Sequence, residues 1–410
     1  MKTLEELYRE ILEHKMSVGE ELPPEYHPYH LDCLLHPEKY APIVFNELCE
    51  ECAYDSACRK SCIFDAIELT KERKMFINPD KCVGCGACVD ACKMEKLTTS
   101  KDILPVMKAV REAKKPVYMM IAPAFLGQFS ESVTPGKLRT TFRALGFTGM
   151  IEVALFADIL TLKEALEFDR NVQNIGDYQL TSCCCPIWIA MIRKMYTELI
   201  PHVPGAVSPM VACGRVIKAL YPDAVTVFAG PCIAKKSEAR EPDIADAVDY
   251  VLTFQEIQDI FDAAEIHPED MRESEKEHSS RAGRLYARAG GVSEAVQKTV
   301  AQLHPEHTKQ VKAEHASGVP ECRALIERIK NKETDANFFE GMGCRGGCVG
   351  GPKSVLTVEE GTKHVDEYAE QAPFATPLEN PYVMKILEEL GFETIDDFVE
   401  NSALLVRKLK

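Results

Sequence analysis

No stretch of this 410-residue chain approaches the roughly 18 consecutive apolar residues that a membrane-spanning helix needs. Its opening residues place Leu4, Leu7, Tyr8, Ile11 and Leu12 among Glu, Arg and Lys, which is the period of an amphipathic helix and not the basic start and apolar run of an export signal. Basic charge is scarce: 48 Lys and Arg stand against 64 Asp and Glu, for a net charge of −16. That balance lacks the basic footprint of a nucleic-acid partner. There is no repeat of 20 to 50 residues and no low-complexity segment. What is abundant is cysteine, with 17 residues. Without an export signal the expectation is a cytoplasmic protein whose thiols stay reduced and serve as metal ligands. With 46% hydrophobic and 27% charged residues, the chain buries one large core and a smaller module without disulfides.

The order of features predicts four parts: an N-terminal helix and irregular arm (1–42), a cysteine-dense module (43–100), a linker helix (101–115) and a large domain (116–410). Val117 to Pro123 is a short apolar run stopped by proline, as in a buried strand. Met150 to Ala154 and Ala224 to Phe228 are strand-like, whereas 138–145, 162–168 and 187–199 have helical spacing. The alternation predicts an α/β fold around a buried sheet. The charged stretch Pro268 to His278 is read as a solvated helix or loop.

Cys82, Cys85, Cys88 and Cys92 form the C-x-x-C-x-x-C-x-x-x-C run that gives three thiolates to one 4Fe-4S cubane and the fourth to a second cluster. Cys49, Cys52, Cys58 and Cys62 form a partner run with extra residues before the third cysteine. The crossing rule assigns Cys49, Cys52, Cys58 and Cys92 to one cluster, and Cys82, Cys85, Cys88 and Cys62 to the other. A zinc site would use four ligands in paired knuckles, not two interlocked runs of four. The proline that usually follows the fourth cysteine is absent from both halves, replaced by Ile63 and Lys93. Two clusters in series make an electron relay, which implies a redox site to serve.

Of the remaining nine cysteines, Cys33, Cys213 and Cys322 stand alone and read as small buried apolar residues. The other six fall in Thr181-Ser-Cys-Cys-Cys-Pro-Ile-Trp188, Gly230-Pro-Cys-Ile-Ala-Lys-Lys-Ser-Glu238 and Glu340-Gly-Met-Gly-Cys-Arg-Gly-Gly-Cys348. A third cubane would take Cys344, Cys348, Cys232 and one of the three tandem cysteines. The glycines at 346, 347, 350 and 351 leave room for backbone to approach a bulky cluster.

These three motifs, in this order downstream of a ferredoxin-like module, resemble the active-site signatures of the FeFe-hydrogenases. The resemblance runs from about Cys49 to the C-terminus. It implies the FeFe-hydrogenase catalytic fold, α/β, preceded by an α+β two-cluster ferredoxin-like domain. It further implies that Cys185, Cys232, Cys344 and Cys348 hold a cubane. Cys348 would also bridge to a two-iron subcluster carrying carbon monoxide, cyanide and an azadithiolate. By the same resemblance Lys235 donates to a cyanide with Glu238 as its countercharge, Met342 lines the distal-iron pocket, and the backbone of Ala122-Pro123 faces the other cyanide. Cys184 would begin a proton path continued by Glu164 and Glu167, two carboxylates set on one helical face; an ordinary surface ion pair is the plainer reading of that spacing. Ala289-Gly290-Gly291-Val292 resembles a pocket-lining turn, and Glu379-Asn380-Pro381 a C-terminal wrap.

The departures from the family are a third tandem cysteine, Cys183; Pro204 where a proton-path serine is expected; and Gly230 and Ala124, both read as making the pocket roomier. The expected function is reversible interconversion of protons and electrons with dihydrogen. A hydrogen sensor or low-activity regulatory homologue is the alternative, and an iron-sulfur assembly relative a third. The implied partners are a redox protein such as ferredoxin and the hydrogenase maturation proteins.

Overall fold

The computed structural model describes residues 1–13, 25–49, 52, 56–181, 184–274, 278–303, 305, 310–397 and 403–409. At the N-terminus α1 (Leu4–Glu13) buries Leu4, Leu7, Tyr8 and Ile11, the residues its period singles out. They join the largest apolar core, and the Tyr8 hydroxyl donates to Asp259 at 2.7 Å. The arm expected to be irregular contains α2 (Pro28–Leu35). Its proline occupies the first turn, where a missing N–H is harmless, and His27 caps it by accepting from the Tyr29 amide at 3.1 Å.

The cysteine-dense module has a two-fold repeat in its pairing. Strands β1 (Ile43–Phe45) and β4 (Leu97–Thr99) pair antiparallel, as do β2 (Ile67–Leu69) and β3 (Met75–Ile77). Short helices α3 (Ala57–Ser61) and α4 (Ala87–Ala91) follow the first ligands of each run. Next comes α5 (Ile103–Glu112), whose buried side joins the same core as α1.

Two parallel sheets form the large domain. The first has the order β6 (Gly149–Glu152), β5 (Val117–Ile121), β8 (Val225–Gly230) and β9 (Tyr250–Thr253). The two inner strands, β5 and β8, are nearly continuous buried apolar runs, as befits parallel strands covered by helices. The second has the order β10 (Ala313–Ser317), β11 (Phe338–Met342) and β7 (Gln179–Leu180). The crossovers include α6 (Pro135–Ala144), α7 (Ala154–Asn171), α8 (Pro186–Met195), α9 (Pro209–Leu220), α10 (Ala234–Glu238), α11 (Phe254–Ala263), α12 (Arg281–Arg284), α13 (Gly291–Leu303) and α14 (Val319–Lys330). The chain continues through α15 (Val358–Glu370) and α16 (Pro381–Glu389). Pro268 to His278 holds one short 3-10 turn at Pro268–Asp270, and residues 275–277 lie outside the described ones. Among the described residues no helix is long and apolar enough to cross a membrane.

Candidate active site

All three cysteine motifs, and Ala122-Pro123 with them, leave the carboxyl ends of parallel strands. Ala122 and Pro123 follow β5, Cys232 follows β8, Cys344 follows β11, and Cys184 and Cys185 follow β7. The crevice beyond the carboxyl ends is where α/β sheets bind ligands. Here two sheets direct those ends at one cavity, whose wall includes Cys184, Cys185, Cys232, Cys344 and Cys348. Ala122, Pro123, Met342 and Lys235 also line it, and Lys235 is the only formally charged side chain among the described lining residues. The rest of the wall is mostly apolar, with Val153, Ile187 and Met210 among its members.

The thiols crowd one another in a dry setting. Burial, with the Cys185 thiol beside it, pushes Cys232 up to about 11. Burial and the nearby Cys232 and Cys185 push Cys348 up to about 12, and Cys344 rises well above the ordinary thiol range for the same reasons. Thiolate ligands must shed those protons, so iron binding at this set is coupled to proton release. The Gly343 amide donates to Cys185 Sγ at 3.1 Å, the kind of N–H···S contact that stabilises a cluster sulfur. Close approach is enforced by glycine. A Cβ on Gly351 would lie 2.8 Å from the Pro231 carbonyl oxygen, and one on Gly347 2.6 Å from the Ala289 amide nitrogen. Four convergent thiols, a donor to sulfur and a side-chain-free rim fit a cubane.

Lys235 and Glu238 are buried on α10 and paired at 2.6 Å. Burial opposes the ammonium, but Glu238 and the Cys232 and Cys348 thiols outweigh it, so the Lys235 pKa is raised. The helix is fixed from its other side. Lys236 Nζ lies 3.2 Å from both Asp102 and Glu256, Asp102 also accepts from the Val251 amide at 3.1 Å, and all these side chains are buried. No local pattern signals this network, because its members are far apart in the chain.

The cluster module rests directly on this site. A second cavity is walled by Cys62, Cys82, Cys85 and Cys88, the crossed set of four. Cys49 and Cys58 each count Cys52 and Cys92 among their electrostatic neighbours, which gathers the other set. Gly84, at φ +75°, packs its Cα against Ile233 and Ala234, immediately after Cys232. Cys85 is among the electrostatic neighbours of Cys344, so the inner set of thiols borders the active-site set.

The two carboxylates of α7 have separate partners. Glu164 is 1% exposed and accepts from Gln179 Nε2 at 2.9 Å, while Glu167 pairs with Lys163 at 2.5 Å. Burial raises the Glu167 pKa against the opposing pull of Lys163. Asp158, on the same helix, accepts from the Ser280 amide at 2.7 Å, the Gly283 amide at 2.8 Å and Asn380 Nδ2 at 2.9 Å, which ties down the Glu379-Asn380-Pro381 segment. Burial lifts Asp158 to about 6 despite these donors. Pro204 is buried after a 3-10 turn, and Cys183 lies outside the described residues.

Several expectations change. Gly230 does not leave the pocket roomier, because a Cβ there would lie 2.8 Å from the ring of Phe228, which fills that space and lines the cavity. The amide of Ala122 is spent on the Ala229 carbonyl at 2.8 Å, so the first donor this turn can offer after Pro123 is the Ala124 amide. The Ala289-Gly290-Gly291 turn does not line the cavity but lies one layer behind it, where the Ala289 amide donates to Gly346 at 2.9 Å. Tyr286 and Ala287 line the wall instead. Glu340, quoted in the third motif without a role, is fully buried and accepts from the Gly290 and Ser293 amides at 2.8 Å each. It supplies the start of α13 with a carboxylate and so fixes the turn behind Gly346. Cys33 is buried in the α1 core, not at a cluster, and Cys322 donates to the Met342 carbonyl at 3.3 Å.

Comparison with known proteins agrees with this geometry. The family described as iron only hydrogenase large subunit, C-terminal domain, matches residues 115–352, and a 4Fe-4S binding domain matches residues 73–94. Iron hydrogenase 1 of Clostridium pasteurianum is 28% identical over 380 residues, covering 70% of this chain and 66% of that protein, just under two thirds of its length. Cytosolic iron-sulfur assembly component 3 of Bos taurus is 25% identical over 351 residues, covering 69% of this chain and 72% of the relative. A solved FeFe-hydrogenase from work on oxygen inactivation superposes with a TM-score of 0.63 at 22% identity, covering 75% of this chain and 98% of that one. An apo FeFe-hydrogenase variant of Chlamydomonas reinhardtii gives 0.61 at 20% identity over the same shares. The chain binds iron-sulfur clusters and belongs to the iron-only hydrogenase family, with the α/β fold of the FeFe-hydrogenases behind a ferredoxin-like 4Fe-4S module.

Proposed function

We propose that this chain is an FeFe-hydrogenase that interconverts protons and electrons with dihydrogen. The observation that supports it most is the joint presence, on one mostly apolar wall, of four cubane-competent thiols, the thiol of Cys184 and the ammonium of Lys235. Cys185, Cys232, Cys344 and Cys348 would hold a cubane, with a two-iron unit carrying carbon monoxide, cyanide and an azadithiolate attached at Cys348. When bound, that unit supplies the open metal position and the bridgehead base at which dihydrogen is split or formed. The protein's part is to hold it and to move protons. Lys235 places a charged donor against an otherwise apolar wall, where it can pair with a cyanide that no side chain ligates. Met342 and Phe228 exclude water. Cys184 would pass protons between the cavity and the carboxylates of Glu164 and Glu167.

Electrons would enter through the two crossed cysteine sets. Leu48, Phe76 and Met94 are exposed beside the outer set, and Arg59, Lys60 and Lys93 are exposed nearby in a chain of net charge −16. An acidic redox protein such as a ferredoxin fits that surface. Salt should then slow reduction of the clusters by such a carrier, and a salt-independent rate would remove this docking surface.

The similarity to cytosolic iron-sulfur assembly component 3 supports a second reading, an assembly factor without hydrogen chemistry. Loading anaerobically purified protein with a synthetic two-iron complex separates the two. Carbonyl and cyanide infrared bands together with hydrogen production are expected for a hydrogenase. Failure of both in protein whose cubanes are intact would favour the assembly role.

A further inference from the structure

The family's proton path has a serine where this chain has Pro204, which offers no side-chain donor or acceptor. Three other buried atoms near that path have no hydrogen-bond partner among the described residues: Gln179 Oε1, Thr181 Oγ1 and Glu167 Oε2. Gln179 and Thr181 are each 1% exposed. They alternate along one edge of β11, the Gln179 amide donating to Asn337 at 3.0 Å and the Thr181 amide to Phe339 at 2.9 Å. Residues two apart in an extended strand face the same side. That side is the one facing α7, since Gln179 Nε2 reaches Glu164 Oε2 at 2.9 Å and the Glu164 carbonyl at 3.3 Å. With its amide nitrogen so engaged, Gln179 has its carbonyl oxygen turned away from Glu164 and unused. Thr181 is three residues before Cys184, on the cavity side of Gln179. Glu167 is one turn further out on α7, with Oε1 held by Lys163 and Oε2 unused.

Orphaned polar atoms in a protein interior are ordinarily satisfied by ordered water, which needs at least two such partners. We infer that Thr181, Gln179 and Glu167 hold a file of buried waters that links Cys184 to Glu164 and Glu167, in place of the serine lost at Pro204. The inference deepens the hydrogenase reading and rests on it for its purpose, though not for its geometry. Each transfer along the file breaks one O–H or S–H bond as another forms on the acceptor, so a proton enters at one end for each that leaves at the other. Gln179 and Thr181 are positioning residues: they orient water and the Glu164 carboxylate, and they need not change protonation state themselves.

The test uses protein carrying its cubanes but no two-iron unit. A crystal structure is expected to show water within hydrogen-bonding distance of Thr181 Oγ1 and Gln179 Oε1. In D2O the S–H infrared band of Cys184, identified by its loss in Cys184→Ala, should exchange about tenfold more slowly in Thr181→Val and in Gln179→Met. Thr181→Ser should restore the rate, which a purely structural role of the threonine methyl would not allow. After loading, Thr181→Val should keep its carbonyl and cyanide bands while hydrogen turnover falls and its solvent isotope effect rises. Absence of water at these atoms, or wild-type exchange in Thr181→Val, overturns the file. Intact water and normal exchange in a protein that gives neither infrared bands nor turnover would instead overturn the hydrogenase reading and leave the file standing.

Discussion

Replacing Lys235 by Met should separate the two tasks of that side chain. Its ammonium is paired with Glu238 at 2.6 Å, with side-chain exposures of 8% and 3%. Removing one partner of a buried ion pair costs about 3–5 kcal/mol, because the other charge is left without compensation. Arg407 lies within electrostatic reach of Glu238 and relieves part of that penalty, which places the expected loss near the lower figure, about 3 kcal/mol. Replacing both residues, as Lys235→Met with Glu238→Leu, removes both charges and should bring stability back to within about 1 kcal/mol of the parent. Urea unfolding of cubane-loaded protein measures both values. Because the folded pKa of Lys235 is raised above its ordinary 10.5, the pair's contribution is fully present below that pH and is lost only as pH rises through the folded value. The loss in the single variant should therefore be flat across the neutral range. The double variant should regain stability and still fail to retain a synthetic two-iron complex, since the donor facing the cavity is gone. A single variant that loses less than about 1 kcal/mol, or a double variant no more stable than the single, would refute the ion-pair reasoning. Normal retention in the double variant would refute the donor role.

Gly341→Ala would set a Cβ 2.1 Å from the buried ring of Trp188, so it should destabilise by about 3 kcal/mol as an overpacked core and lower cubane content, read by thermal unfolding and iron analysis; an unchanged midpoint would mean Trp188 can move aside. Burial opposes ionisation of Glu294, but Arg281, Lys298 and Arg288 hold it down to about 2, so its stabilising effect is present above 4.5 and lost as pH falls through 2. The stability gap between the parent and Glu294→Gln should close over that window in acid unfolding curves, and a gap that persists at the acid end would show that the network works through packing. Cys184→Ala should reduce hydrogen turnover by about 100-fold or more at equal cluster loading, with Glu164→Gln losing less. Near-normal turnover in Cys184→Ala would remove that thiol from the proton route.

What could be read from the chain was local. The two interlocked cysteine runs and the three motifs are contiguous strings, and their crossed grouping follows from spacing because a cubane has a fixed size. The strands β5, β6 and β8 were legible for a similar reason, as short apolar runs bounded by proline and glycine. The start of α7 was not: the helix is buried on most of its circumference, from Ala154 through Ala165, so it carries no polar face for a 3.6-residue period to reveal. Two kinds of site residue also escaped. Phe228 fills the place beside Gly230 from two positions upstream on the same strand, a compensation visible only once the alternate side chains of β8 are known to face one way. Glu340, Gln179 and the Asp102–Lys236–Glu256 cluster act through partners from 15 to 154 residues away, which no window of sequence contains. These long-range contacts share a purpose. Each holds the backbone just before or behind a cysteine, Gln179 ahead of Cys184, Glu340 behind Gly346, and Lys236 beneath the helix that follows Cys232. The motifs name the ligands, and the unsignalled buried polar residues decide where those ligands stand.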